Sequence, residues 1–136
     1  MTDFNAQIID EFRQNEGAVG GPLQGVPILL LTHQGVRTGA PRTTPLGYFE
    51  DAGRYVLYAS NMGAAKTPDW YYNVLGEPRV EVECGTERFP AVASVLAADD
   101  PTGLRERVVE ARPFLRDHAE RAGRDIPLVI LQRVRP

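Results

Sequence analysis

Short apolar and alternating runs succeed one another along this chain, separated by turns that fall on glycine and proline. The first apolar run, 27–32, predicts a strand, and 42–50 a second one ending at Glu50. Asp51-Ala52-Gly53 carries a hairpin signal, and 55–59 returns as a third strand antiparallel to the second. Arg79-Val80-Glu81-Val82-Glu83 alternates strictly, so its valines face a core and its acids form a solvated face. Cys84-Gly85-Thr86 turns the chain into a strand over 87–96, where Pro90 points to an edge or a bulge. The run 126–134 closes the chain as the last strand.

Helical spacing occurs in three places. Phe4, Ile8, Ile9 and Phe12 predict a short amphipathic helix over 3–16 with Asp3 as its cap, followed by a mobile connector rich in glycine, 17–22. Mixed charges favour packing of this helix on the body; covering a pocket or touching a membrane surface stay open. Thr67 followed by Pro68 reads as a cap and first helical position, and Gly76 ends that helix after about two turns. From Asp99-Asp100-Pro101 onward, Leu104, Val108, Ala111, Leu115, Ala119 and Ala122 form a stripe. Pro113 interrupts it, predicting a kink or two short helices. The chain divides into residues 1–22, helix and connector, and a single domain over 23–136.

The stretch Thr32–Leu46, THQGVRTGAPRTTPL, is where chemistry concentrates. Gly35 and Gly39 allow tight turning, Arg37 and Arg42 carry charge, and Thr38, Thr43 and Thr44 carry hydroxyls. Exposed backbone N–H groups with guanidinium groups grip anions, a phosphate above all. Taken alone, such a loop is more often an ordinary solvated connection. No Gly-Lys-Ser/Thr follows as in nucleotide hydrolases, and no G-x-x-G opens a helix as in dinucleotide sites. The antiparallel second and third strands, however, bring Arg42–Leu46 to the same end as a second glycine-containing loop, Ser60–Lys66. That loop holds Lys66, the one lysine among 15 basic residues, directly before a helix N-terminus.

At 136 residues the chain is long enough to bury a core, and its net charge of −3 argues against a general nucleic-acid binder. One cysteine, Cys84, excludes an internal disulfide and suits a reducing cytoplasm; it reads as a plain free thiol. No stretch approaches the ~20 apolar residues of a membrane span, and no secretory pattern opens the chain. Ser60 and the threonines lack a base and an orienting acid, and no metal cluster is expected from two histidines and one cysteine. His33 reads as a loop residue and His118 as an exposed helical one. An enzyme built this way relies on a bound cofactor for its reaction.

Several blocks together resemble the deazaflavin-dependent nitroreductase family. Gly25-Val26-Pro27 through Leu46 is similar to its G-x-P…LLTT-x-G-R/K-[ST]-G-x-x-R-x-T-P-L signature. Ala59-Ser60 through Asn73 is similar to A-S-x-G-G-x-x-K-x-P-x-W-[YH]-x-N, and Pro78–Val82 to the strand that follows. The resemblance covers about residues 24–96. It implies an α+β, mainly β fold, a single-domain split β-barrel, largely antiparallel with flanking helices. It implies coenzyme F420, a deazaflavin with a phosphodiester and an oligoglutamate tail, with FMN as the lesser alternative. By the same resemblance the coenzyme is lined by Arg37, Thr38, Gly39, Arg42, Thr43, Thr44, Pro45 and Leu46. Its second segment contributes Ser60, Asn61, Met62, Gly63, Lys66, Trp70, Tyr71 and Asn73. No catalytic side chain is assigned, because the chemistry lies on the coenzyme. Tyr48, Phe114 and His118 are the candidates for the acceptor side. Departures fall at Ala40, where many members have lysine, at Ala64, at Gly47-Tyr48, and at Tyr72, where histidine is common.

The expectation is an F420-dependent oxidoreductase passing a hydride to a small acceptor, a quinone or nitroaromatic, in the cytoplasm. A homodimer is compatible with the fold, and peripheral membrane contact through the N-terminal helix remains an alternative. A non-catalytic F420- or flavin-binding carrier or sensor, or an interaction module on the same scaffold, is the competing class.

Overall fold

Six strands close on themselves in the computed structural model, which describes residues 4–20 and 25–134. They are β1 (Ile28–Gln34), β2 (Pro41–Asp51), β3 (Arg54–Tyr58), β4 (Arg79–Cys84), β5 (Glu87–Val95) and β6 (Leu128–Arg133). The order around the barrel is β1-β2-β3-β6-β5-β4, and every neighbouring pair is antiparallel. Four helices flank it: α1 (Phe4–Gln14), α2 (Asp69–Gly76), α3 (Leu104–Ala111) and α4 (Phe114–Ala122). None of the described helices is long and apolar enough to cross a membrane.

Period-two alternation distributes the apolar side chains between three packing layers. Leu29 and Leu31 of β1 point into the barrel with Leu57, Val82, Phe89, Val129 and Leu131. Ile28 and Leu30, on the other face, bury Phe12 of α1. With both faces covered, β1 is apolar at every position from Ile28 to Leu31 rather than alternating. Val56 and Leu128 turn outward instead, under Leu104, Val108 and Leu115 of α3 and α4. α2 sends Trp70 and Val74 into the interior cluster and so closes one barrel end. The 11-residue β2 serves two partners, pairing 41–47 with β1 and 48–51 with β3.

α1 begins at Phe4, so the expected Asp3 cap falls outside the described residues, as do 21–24 of the connector. Its apolar face, Ile8 and Phe12, is buried on the barrel. Arg13 adds two hydrogen bonds to Glu83, at 3.0 and 2.8 Å. The expected solvated face of β4 is therefore covered at Glu83, whose carboxyl the Arg13 guanidinium holds below its ordinary range.

Two expected boundaries move, at β1 and α3, and the two prolines resolve as follows, each for a local reason. β1 runs on to Gln34, because Thr32, His33 and Gln34 still find partners in Thr43, Arg42 and Pro41. Pro90 marks neither an edge nor a bulge in this closed barrel. It lies one residue beyond the β5–β6 register, which begins at Ala91–Arg133; its carbonyl accepts the Val134 N–H, and it has no N–H with which to extend the ladder. The stripe after Asp99 becomes helical only at Leu104, since the Asp100 carboxylate closes a turn on the Thr102 N–H and hydroxyl. Pro113 then splits that stripe into α3 and α4, the second of the two expected outcomes.

Candidate functional site

The loop between β1 and β2 closes on itself through several of its backbone groups and leaves its charges outside. Gly35 N–H donates to the Ala40 carbonyl at 2.9 Å and Gly39 N–H to the Gly35 carbonyl at 2.8 Å. The Ala40 N–H donates to the Thr38 hydroxyl at 3.2 Å, and Gln34 Nε2 to the Gly39 carbonyl at 3.0 Å. Arg37 and Arg42 remain exposed, and among the described residues neither is ion-paired with a carboxylate.

This loop is locked to α2 by a chain of side chains. The Val36 N–H donates to Asn73 Oδ1 at 3.1 Å, which makes the Asn73 amide nitrogen the atom facing His33 Nδ1, at 3.0 Å. An amide nitrogen only donates, so His33 Nδ1 accepts and carries no proton; Nε2–H then donates to the Thr44 hydroxyl at 2.9 Å. His33 is thus a neutral, buried strand residue, 4% exposed, and not the loop residue the sequence suggested. Burial first, and the nearby Arg42 second, push its pKa down to about 4. Gly76 permits the same docking, since a Cβ there would lie 2.6 Å from Val36 Cγ1.

Between the loop and α2 lies a cleft of about 370 Å³, lined among others by Arg37, Thr38, Arg42, Lys66, Asp69 and Tyr72. Arg42 and Thr44 share a face of β2 with Leu46 and Tyr48, which pack into the barrel, so Arg42 emerges at its mouth. Lys66 Nζ stands 3.7 Å from Asp69, with both side chains largely exposed (79% and 72%); so loose a surface pair leaves the ammonium available. Three cations thus surround one cleft, where the sequence placed an anion grip.

The remaining candidates sit around the cleft or behind it. Thr43 faces the other side of β2, bonded to the Thr32 hydroxyl at 2.9 Å, and Pro45 shares that side. Leu46 and Trp70 belong to the barrel interior, and Tyr71 packs against it. Ser60 is buried; Asn61–Gly63 forms a short 3-10 turn whose Met62 side chain is outside the described structure. Asn61 Nδ2 holds the Lys66 carbonyl at 2.9 Å. The helix after Lys66 starts one residue later than expected: Pro68, extended at φ −67° and ψ 151°, is the cap, and no Thr67 side-chain bond caps it.

The three acceptor-side candidates do not converge. Tyr48 alternates with Phe49 and faces inward, where the Cys84 thiol donates to its hydroxyl at 3.4 Å and Tyr55 meets its ring edge-on. Burial, helped by Cys84, raises its pKa. Phe114 and His118 lie on α4, outside the barrel, their rings 5.1 Å apart with Tyr58 beside Phe114. His118 is half-buried rather than exposed, because α4 packs on the 3-10 turn; its Nδ1 is buried without a partner among the described residues, and burial lowers its pKa. Sequence reasoning missed Val36, Asp69, Tyr72 and His33. The first signal available was the spacing Asp69, Tyr72/Asn73, Gly76, which puts these residues on one face of α2.

Comparison with known proteins gives a consistent picture. A family model described as F420H(2)-dependent quinone reductase matches residues 6–133. An F420H(2)-dependent quinone reductase from Mycobacterium tuberculosis is 35% identical over 126 residues, covering 90% of this chain and 85% of that protein. The structure of an F420-H2 dependent reductase, FDR-A, superposes with a TM-score of 0.69 at 34% identity, over 78% of this chain and 94% of that one. A domain-swapped dimer superposes with a TM-score of 0.71 at 30% identity, over 93% and 96% of the two chains.

Proposed function

The chain belongs to the F420H(2)-dependent quinone reductase family, and from that premise we propose that the cleft between the β1–β2 loop and α2 holds the anionic tail of coenzyme F420. The protein is an F420H2-dependent oxidoreductase, and F420 is its cofactor. What supports the placement is the donor set: Arg37, Arg42 and Lys66 around one cleft, with a single loose carboxylate partner among them. A phosphodiester and a row of glutamates need such a set, and guanidinium forks meet both oxyanions in bidentate fashion.

When bound in its reduced form, the deazaflavin supplies a hydride to the acceptor. The protein contributes position. Arg37, Arg42 and Lys66 hold the tail, each charged hydrogen bond worth about 1.5–3 kcal/mol. Thr38 and Thr44 add hydroxyls at the mouth. The Val36–Asn73–His33–Thr44 chain keeps the loop against α2, so that both sides of the cleft stay in register. Leu46 and Trp70 support the site from the interior. On the rim, the half-exposed Tyr72 ring offers a flat surface on which a planar ring stacks. A quinone is the proposed acceptor.

Fluorescence titration with F420 and with FMN tests the reading. Binding at micromolar concentration or tighter for F420, with FMN much weaker, followed by oxidation of F420H2 on addition of a quinone, is the expected result. Tight FMN binding instead overturns the cofactor assignment. F420 binding without turnover by any acceptor makes the protein a carrier. A homodimer belongs to the same proposal, supported by the domain-swapped neighbour. Light scattering of the purified protein is expected to give twice the chain mass, and a monomer at working concentration rules the dimer out.

A further inference from the structure

Arg124 stands directly after α4, and the way that helix ends determines where its side chain goes. Gly123 takes the left-handed conformation (φ +66°) that glycine adopts without strain, and its N–H and that of Arg124 both close on the Ala119 carbonyl. The guanidinium is thereby delivered to the far side of the 59–66 loop. There it gathers five of the loop's carbonyls: Ala59 at 3.2 Å, Ser60 at 3.1 Å, Ala64 at 3.2 and 3.3 Å, Ala65 at 3.1 Å and Lys66 at 3.4 Å. Among the described residues no carboxylate is ion-paired with it.

Two consequences follow from elementary geometry. In a trans peptide the C=O of one residue and the N–H of the next point in opposite directions, and the described chain has no cis bonds. Three consecutive carbonyls drawn to Arg124, those of Ala64, Ala65 and Lys66, therefore turn the N–H groups of Ala65, Lys66 and Thr67 away from it. Among the described residues, none of these three N–H groups makes a backbone hydrogen bond. A run of free N–H groups on one side of a loop is an anion-binding concavity. Secondly, a guanidinium whose partners are neutral carbonyls keeps its charge, and that charge lies immediately behind the segment carrying Lys66.

We propose that Arg124 is the positioning residue of the tail site, holding the 59–66 loop so that Ala65, Lys66 and Thr67 present their N–H groups to the coenzyme's anionic tail while its own charge favours that tail from behind. The inference rests on the placement of the F420 tail at Lys66. Its test uses two fluorescent probes: F420, and the same deazaflavin chromophore without the phosphodiester and glutamates. Both are titrated into the wild-type protein, Arg124→Ala, Arg124→Lys and Lys66→Ala, with the melting temperature of each measured in the absence of probe.

Arg124→Ala is expected to weaken F420 binding about tenfold or more and to leave the tailless probe unchanged. Arg124→Lys, which keeps the charge and loses the fan of bonds, falls between. Equal losses for both probes mean that Arg124 merely supports the fold, and equal affinities in wild type and Arg124→Ala mean that it does nothing here; either overturns the inference. Should Arg124→Ala not fold, Arg124→Lys is judged by the same ratio. Should the wild-type protein bind both probes alike and Lys66→Ala change neither, the tail lies elsewhere, and the parent reading falls together with the inference. A wild-type preference for F420 that survives in the Arg124 variants sinks the inference alone.

Discussion

Replacing Arg42 and Lys66 together by alanine weakens F420 binding by at least about a hundredfold and shifts the melting temperature by no more than about 3 °C. The two halves of this prediction have separate grounds. In the proposed site each side chain supplies one charged contact to the tail, and two such losses at the low end of their range sum to about 3 kcal/mol. Neither supports the fold: Arg42 is exposed with no carboxylate partner among the described residues, and the Lys66–Asp69 pair is loose and open to water. Asp69 loses nothing by standing alone, since water solvates it already. Calorimetric or fluorescence titration together with a thermal melt reads both quantities. Unchanged affinity moves the tail site off this cleft; a collapsed melt shows that the two residues hold structure instead.

Acidification from pH 7 to pH 4 removes about 3 kcal/mol of stability through His33 alone. Folded, His33 has a pKa of about 4, below its ordinary value of 6.5, so between these values the unfolded chain binds the proton and the folded one does not. Stability is therefore fully present above about pH 6.5 and is lost as the pH falls toward 4. The hydrogen-bond chain gives the same sign independently. A proton on Nδ1 would face the Asn73 amide donor, which the Val36 N–H fixes in that orientation. Urea unfolding at a series of pH values, compared between wild type and His33→Gln, isolates the effect from that of the carboxylates. A variant whose curve keeps the wild-type slope between pH 4 and 6.5 assigns the loss to other groups.

Strands, both loops and the three cations of the cleft were legible because they depend on local chemistry. Alternation, turn residues and isolated basic side chains carry their meaning within a few positions. His33 was misplaced because its neighbours in sequence, Thr32, Gln34 and Gly35, read as a polar loop; what keeps it in the strand is Arg42 across the ladder. Glu83 was assigned to solvent because nothing in β4 announces Arg13, seventy residues earlier, above it. Tyr48, Phe114 and His118 were all candidates for the acceptor side. Only the inward turn of Tyr48 and the outward docking of α4 separate them. Arg124 was invisible for another reason: its partners are carbonyl oxygens, which every residue has, so no residue type marks where they converge.

Closing the barrel through its final strand has a consequence for how the molecule is made. β6 lies between β3 and β5, and Tyr55 pairs with Leu131 across more than half the chain. A ribosome releasing this chain therefore presents five strands with two open edges for as long as residues 128–133 remain in the exit tunnel. The β1–β2 loop and the 59–66 loop precede β6 by more than sixty residues, yet the segment carrying Arg124 leads directly into that unpaired strand. The barrel, and with it the hold of Arg124 on the 59–66 loop, is completed only when β6 inserts and fixes both edges at once.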